Sequence, residues 1–161
     1  MKRPEPCDTP LLEKAIAIAV DAHAGKKDKA GQPYILHPLR VMFRVETEDE
    51  RIVAVLHDVV EDHGDVWPRG RLRKNGFPPY ILAALQCVTK RKREPYEKFI
   101  ERAASNPIAL NVKLADLEDN LDVRRLHEVT EKDRDRLNRY LVSFRRLRTQ
   151  RVDRRRRTRS S

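Results

Sequence analysis

Glu48-Asp49-Glu50-Arg51-Ile52-Val53-Ala54-Val55-Leu56-His57-Asp58-Val59-Val60-Glu61-Asp62 is the stretch that decides the fold. Thr47 stands just before it and Glu50 three residues further on, a capping box that starts a helix. Ile52, Val55, Leu56 and Val59 recur at helical spacing and predict a buried stripe. The same helix carries His57, Asp58, Glu61 and Asp62. His57 and Glu61 are four apart, as are Asp58 and Asp62, while Asp58 and Glu61 are three apart. These groups therefore cover adjoining sectors of about one and a half turns. Three carboxylates and a histidine among Val and Leu are costly to bury without compensation. Two readings follow. The charges form the solvent face of an ordinary helix, the commoner fate of such groups, or a divalent cation offsets the cost.

Two further segments bear on that choice. Asp116 lies in Leu110-Asn111-Val112-Lys113-Leu114-Ala115-Asp116-Leu117, an apolar helix with Leu at 110, 114, 117 and 121. Asn120 comes four residues later and points the same way. His37 precedes Pro38 and is expected at the cap of a second helix running to about Val45. Alone it reads as a cap or as a satisfied core histidine, the commoner fate of a lone His. Together His37, His57, Asp58 and Asp116 offer two imidazoles and two carboxylates, a ready-made set for one divalent metal. A metal held this way generates hydroxide from water at neutral pH. Mixed imidazole and carboxylate without thiolate suits Mn²⁺ or Fe²⁺ better than structural zinc.

The rest of the chain reads as helix almost throughout. Leu11 to Ala24 is predicted helical, with Thr9 as cap, Pro10 in the first turn and Gly25 as the stop. A basic loop, Lys26-Lys27-Asp28-Lys29-Ala30-Gly31-Gln32-Pro33, follows. Residues 64–79 read as a loop with one short helical turn. Helices are then expected over Tyr80–Val88, Pro95–Ala104, Asn106 to about Leu121, and Glu131 to about Leu147 with Thr130 as cap. No strand and no internal repeat is visible. The fold expected is all-α, a single helical bundle of about seven helices around one divalent metal.

The chain has 161 residues, enough for one core. Its net charge of +10 suggests nucleic acid at first sight. Residues 145–161, however, hold nine arginines and one acid and supply +8 of that charge. The expected division is therefore 1–148 as the folded domain and 149–161 as a basic, disordered tail. Non-specific nucleic-acid contact through that tail would act by counterion release. With no interleaved aromatics, it offers no sequence-specific readout. Cys7 and Cys87 make neither a disulfide framework nor a zinc ribbon. With no signal core or membrane span, a cytoplasmic setting is expected.

The segments Ala22-His23-Ala24-Gly25, Gly31-Gln32-Pro33-Tyr34-Ile35-Leu36-His37-Pro38, Leu56 to Asp62, Val88-Thr89-Lys90 and Val112 to Asp116 with Asn120 also carry a family likeness. The chain resembles the HD-domain phosphohydrolases, and among them the Rel/Spo-type hydrolase domain and the small alarmone hydrolases. The likeness runs from about residue 10 to 145. It implies an HD-domain bundle in which His37, His57, Asp58 and Asp116 bind manganese. It implies that Glu61 and Asp62 position and deprotonate the attacking water. It further implies that Lys26, Lys27 and Lys29 meet phosphates and that Asn120 contacts the nucleotide sugar. The chain departs from the long Rel/Spo proteins at Asp28, where they carry Arg, and at Leu117-Glu118-Asp119-Asn120. Both departures are expected to lie near the nucleotide. His23 is expected to pack behind the site, and His63 and His127 to lie on the surface. Lys90-Arg91-Lys92-Arg93 is either a solvated loop or a phosphate contact.

The implied activity is hydrolysis of the 3′-diphosphate of guanosine tetra- or pentaphosphate alarmones, releasing pyrophosphate. Asp28 and Glu118 motivate a second reading, the same chemistry on an adenine alarmone or another phosphorylated nucleotide. A non-catalytic nucleotide- or nucleic-acid-binding protein acting through the Arg tail is the third.

Overall fold

Thr47 and Glu50 form the capping box: the Thr47 hydroxyl accepts from the Glu50 amide at 3.2 Å, and the Glu50 carboxylate accepts from the Thr47 amide at 3.1 Å. Glu50 also accepts from Glu46 N and Asn111 Nδ2, which ties this helix start to a later helix. In the computed structural model, which describes residues 10–159 with side chains to 157, the order is α1 (Leu11–Ala22), α2 (Leu36–Phe43), α3 (Glu48–Asp62), α4 (Arg69–Lys74), α5 (Pro79–Val88), α6 (Tyr96–Ser105), α7 (Pro107–Asn120), a 3-10 turn (Val123–Arg125) and α8 (Glu131–Arg159). Among the described residues the only strand-like pairing is an isolated bridge between Lys27 and Pro33. The all-α expectation is thus met. The Thr9 cap lies outside the described residues.

Helix α3 is the central post. It packs against α1, α2, α5 and α7. Its buried set is wider than the stripe the spacing predicts: Ile52, Val53, Ala54, Val55, Leu56, His57 and Val59 are all buried. Neighbours on several sides demand apolar residues around most of the circumference, which a single-stripe reading misses. Each fully buried Ile or Leu here contributes about 1.5–3 kcal/mol relative to exposure. One core joins α1–α5 with the near face of α7. A second joins Phe99, Ile100 and Ala104 of α6, Leu110, Leu114 and Leu117 of α7, and Leu147 of α8. Helix α7 is apolar on two faces because it stands between them. Asn106 caps it through a 3.0 Å bond from the Ala109 amide, and Pro107 fills the first position.

Two expectations are corrected. His37 lies inside the first turn of α2, after the cap residue Ile35, instead of at the cap. Pro38 is tolerated there because first-turn amides have no intrahelical partner. The disordered tail does not hold for residues 149–159, which continue α8. Arginine is a good helix former, so loss of apolar periodicity did not mark an end. Arg154 donates to the Ala104 carbonyl at 2.6 Å, meeting the negative end of α6, and Arg155 reaches Glu46.

Candidate metal centre and cavity

Helix α3 brings His57 and Asp58, α2 brings His37 and α7 brings Asp116 to one point. His37 Nε2 is 3.6 Å from Asp58 Oδ2 and 3.3 Å from Asp116 Oδ1. His57 Nε2 is 3.2 Å from Asp58 Oδ1 and 3.7 Å from Asp116 Oδ1. Both imidazoles are held from behind. His57 Nδ1 meets the Ala54 carbonyl at 2.6 Å, and His37 Nδ1 meets Asp119 Oδ2 at 2.8 Å. A carbonyl can only accept, so His57 Nδ1 carries its proton and Nε2 faces the carboxylates. That Nε2 is buried without a hydrogen-bond partner. This orphaned nitrogen, with an all N/O donor set on three helices, fits a six-coordinate hard or borderline divalent ion. A ligand histidine backed by a carboxylate or carbonyl is the usual supporting arrangement.

The electrostatics agree. Burial alone would lower His37, but its hydrogen bonds to Asp116 and Asp119 and the nearby carboxylate charges raise it to about 9. His57 is raised in the same way, burial being outweighed by Asp58 and Asp116. Burial would raise Asp58 and Asp116; instead the imidazoles, and Lys113 beside Asp116, hold both below the usual carboxylate range. The four groups thus form a site that attracts positive charge, whether proton or metal.

Several residues at this centre carried no clear sequence signal. Asp119 is fully buried beneath His37 and also accepts from Arg40, Arg44 and Arg125. It supports a candidate ligand, so this departure from the long Rel/Spo proteins touches the candidate metal centre. Glu118 is exposed on the opposite side of α7, beside Arg44 and Arg148. Tyr34 donates to Asp58 Oδ2 at 2.6 Å. Lys113 is bonded to Asp116 Oδ2 at 2.7 Å and lies over the Phe99 ring. A lysine three residues before the acid could have been picked out by its helical spacing.

The centre forms the floor of a cavity of about 500 Å³. Lys27, Lys29, Lys90, Lys113, Arg125, Arg136 and Arg139 supply its positive walls, and Tyr96, Phe99 and Tyr140 its aromatic ones. Asn120 lines it as well, its amide donating to Asp116 Oδ1 at 2.6 Å. Glu61 lines the wall and accepts from the Lys90 amide at 2.9 Å. Crowding by the wall raises its pKa; the Lys90 amide opposes this and the Asp58 charge adds to it. Lys90 is thereby placed at the cavity.

The remaining expected residues are elsewhere or engaged. Asp62 turns away from the cavity and pairs with Lys26, whose ammonium lies 3.8 Å above the Tyr34 ring. Neither Asp62 nor Lys26 lines the cavity. The reason is angular: Glu61 and Asp62 fall on opposite sides of Asp58 around α3, and only the Glu61 side opens to the cavity. Lys29 lines the rim but is paired with Asp133 at 3.1 Å. Asp28 accepts from the Ala30 and Gln32 amides, which shapes its loop, and its other oxygen is 3.6 Å from Arg125. His63 is half-buried against His23, whereas His127 is exposed.

The likeness to Rel/Spo-type proteins extends to named relatives. The chain is 30% identical over 122 residues to "Guanosine-3′,5′-bis(diphosphate) 3′-pyrophosphohydrolase" of Aquifex aeolicus, covering 68% of this chain and 17% of that protein. It is 31% identical over 127 residues to "GTP pyrophosphokinase" of Streptomyces coelicolor, covering 71% and 15%. It is 40% identical over 55 residues to "Bifunctional (p)ppGpp synthase/hydrolase SpoT" of Escherichia coli, covering 32% and 8%. The chain therefore spans less than a fifth of each of these relatives, whose names include synthases as well as hydrolases. No family model matches the chain. Among the described residues no helix is long and apolar enough to cross a membrane.

Proposed function

We propose that this chain is an HD-type, manganese-dependent hydrolase that removes the 3′-diphosphate of guanosine tetra- or pentaphosphate and releases pyrophosphate. The observation that carries the reading is the meeting of His37, His57, Asp58 and Asp116, with both Nε2 atoms turned toward the two carboxylates. The names of the relatives supply the substrate class. These four residues would hold the metal, which when bound would polarise a phosphoryl oxygen and lower the pKa of water.

The protein's own groups perform the rest. Glu61, with its pKa raised, accepts the proton of the attacking water. The water oxygen bonds to the phosphorus on the 3′ oxygen, the bond between them breaks, and a proton returns to that 3′ oxygen. Lys27, Lys90 and Lys113 neutralise the diphosphate as it leaves. Tyr34 keeps Asp58 oriented, and Asp119 does the same for His37. Tyr96, Phe99 and Tyr140 offer apolar walls to the nucleoside, and Asn120 its sugar contact.

Of the two residues that motivate the adenine reading, Glu118 is outside the cavity, whereas Asp28 lines it with its carboxylate engaged by its own loop and Arg125. Side-by-side turnover of guanine and adenine 3′-diphosphates with added Mn²⁺, reading pyrophosphate release, tests the substrate. Asp58→Asn tests the centre: bound manganese and hydrolysis should be lost together. Full turnover by the folded variant would overturn the mechanism.

A further inference from the structure

A second cluster lies on the other side of Tyr34. His23 is the cap residue at the C-terminus of α1, Asp62 is the last residue of α3, and His63 is that helix's cap residue. One ligand atom from each comes within 4.8 Å of the others. Bond lengths of about 2.0–2.2 Å place two ligands of one ion at most about 4.4 Å apart, so a small side-chain rotation closes the set. The His23 and His63 rings lie 5.6 Å apart, and the opposite side of His23 meets Tyr34 at 4.9 Å.

Two independent features point to a ligand. First, His23 is only 2% exposed, and neither of its ring nitrogens has a hydrogen-bond partner. His63 Nε2 is buried and unpartnered as well. Buried imidazole nitrogens are ordinarily satisfied, and three orphans in one contact need an explanation. Second, the C-termini of α1 and α3 converge here, and neither helix has a basic residue in its last turn. Both negative helix ends therefore favour a cation at this point. The Lys26 ammonium already lies against Asp62 Oδ2, in keeping with that potential. Oδ1 of the same carboxylate remains for a ligand bond.

We infer that His23, Asp62 and His63 form a second divalent-metal site, separate from the His37–His57–Asp58–Asp116 centre, that takes a borderline first-row cation. Two imidazoles and one carboxylate, with no thiolate, define that preference. Asp62 is exposed, so solvent completes the coordination. The ion would clamp the ends of α1 and α3 and fix His23 behind Tyr34, whose hydroxyl orients Asp58.

The test is Co²⁺ binding to the full chain after chelator treatment and dialysis, read by calorimetry and by the visible absorption of the bound ion. His63→Ala should lose one metal equivalent relative to the unaltered chain while keeping its unfolding temperature in chelator. Asp62→Asn should lose the same equivalent. Asp58→Asn should retain it, which separates this site from the other centre. Lys26→Met removes a competing cation and should tighten binding at this site several-fold. Unchanged stoichiometry and affinity in both His63→Ala and Asp62→Asn, or tightening by neither Co²⁺ nor Zn²⁺ in Lys26→Met, would overturn the assignment. If His63→Ala fails to fold, Asp62→Asn and Lys26→Met decide it.

Discussion

Replacing Asp119 by Asn should weaken the fold and the proposed metal centre together, because one buried carboxylate supports both. Its oxygens accept from His37 Nδ1 at 2.8 Å, from Arg40 Nε at 2.8 Å and Nη2 at 3.0 Å, and from Arg44 Nη1 at 2.9 Å. Arg125 Nη2 adds a fifth contact at 3.2 Å. Asn preserves the volume, so no cavity opens; what is lost is the charge and one of the two acceptor oxygens. Removing one partner of a buried ion pair costs about 3–5 kcal/mol. Here the arginine side chains are 29–30% exposed and can swing toward water. That relief places the expected loss at the lower end, about 3 kcal/mol, or about 6–12 °C in unfolding temperature for a domain of this size. Loss of the acceptor behind His37 should also lower Mn²⁺ affinity about 10–100-fold. Burial alone would raise the Asp119 pKa, but its bonds to His37 and Arg40 hold it below the unfolded value. Its stabilisation is therefore complete above a pH of about 4 and declines as pH falls through the carboxylate range. Thermal unfolding of both proteins at neutral and acid pH, with Mn²⁺ titrations, measures all three effects. A neutral-pH unfolding temperature within about 2 °C of the parent, too small for a loss of 3 kcal/mol, together with unchanged Mn²⁺ affinity, would refute the reasoning.

Three more outcomes are expected. Thr47→Ala removes the hydroxyl half of the capping box and should cost about 0.5–2 kcal/mol, read by denaturant unfolding, with Mn²⁺ stoichiometry unchanged. On the proposed reading, Mn²⁺ would displace a proton from His37, whose neighbouring carboxylates raise its pKa to about 9. Apparent affinity should therefore rise by about tenfold per pH unit from 7 toward 9 and then level off, as followed by calorimetry at fixed ionic strength. Deleting residues 149–161 removes the Arg154 contact to the end of α6 and the tail charge. Salt-sensitive binding to nucleic acid should fall while hydrolysis persists; absence of hydrolysis in the intact chain too would favour the nucleic-acid reading.

Much of the helix pattern was readable because its signals are local. The Thr47–Glu50 box, Asn106-Pro107 and the short turn within 64–79 act through their own backbone, and the helices start or fall where these signals put them. The end of α8 was missed because apolar spacing reports a buried face, whereas an arginine-rich segment can extend a helix without one. Asp62 and Asp119 were the harder cases. Each lies three or four residues from a group at the candidate metal centre, so helical spacing allows it to share the site. Asp62 instead faces Lys26 and Asp119 faces α2.

The chain by itself set which groups are available: two imidazoles and two carboxylates in apolar helices, an acidic pair after Asp58, and a basic loop ahead of His37. Tertiary packing alone decided their uses. A helix fixes the angle between its own side chains to within a sector, but which neighbour fills that sector depends on how helices cross. Around α3, Glu61 falls on the side of Asp58 that meets the Lys90 amide and looks into the cavity. Helix α1 lies on the other side, so Asp62 is left with Lys26, His23 and His63.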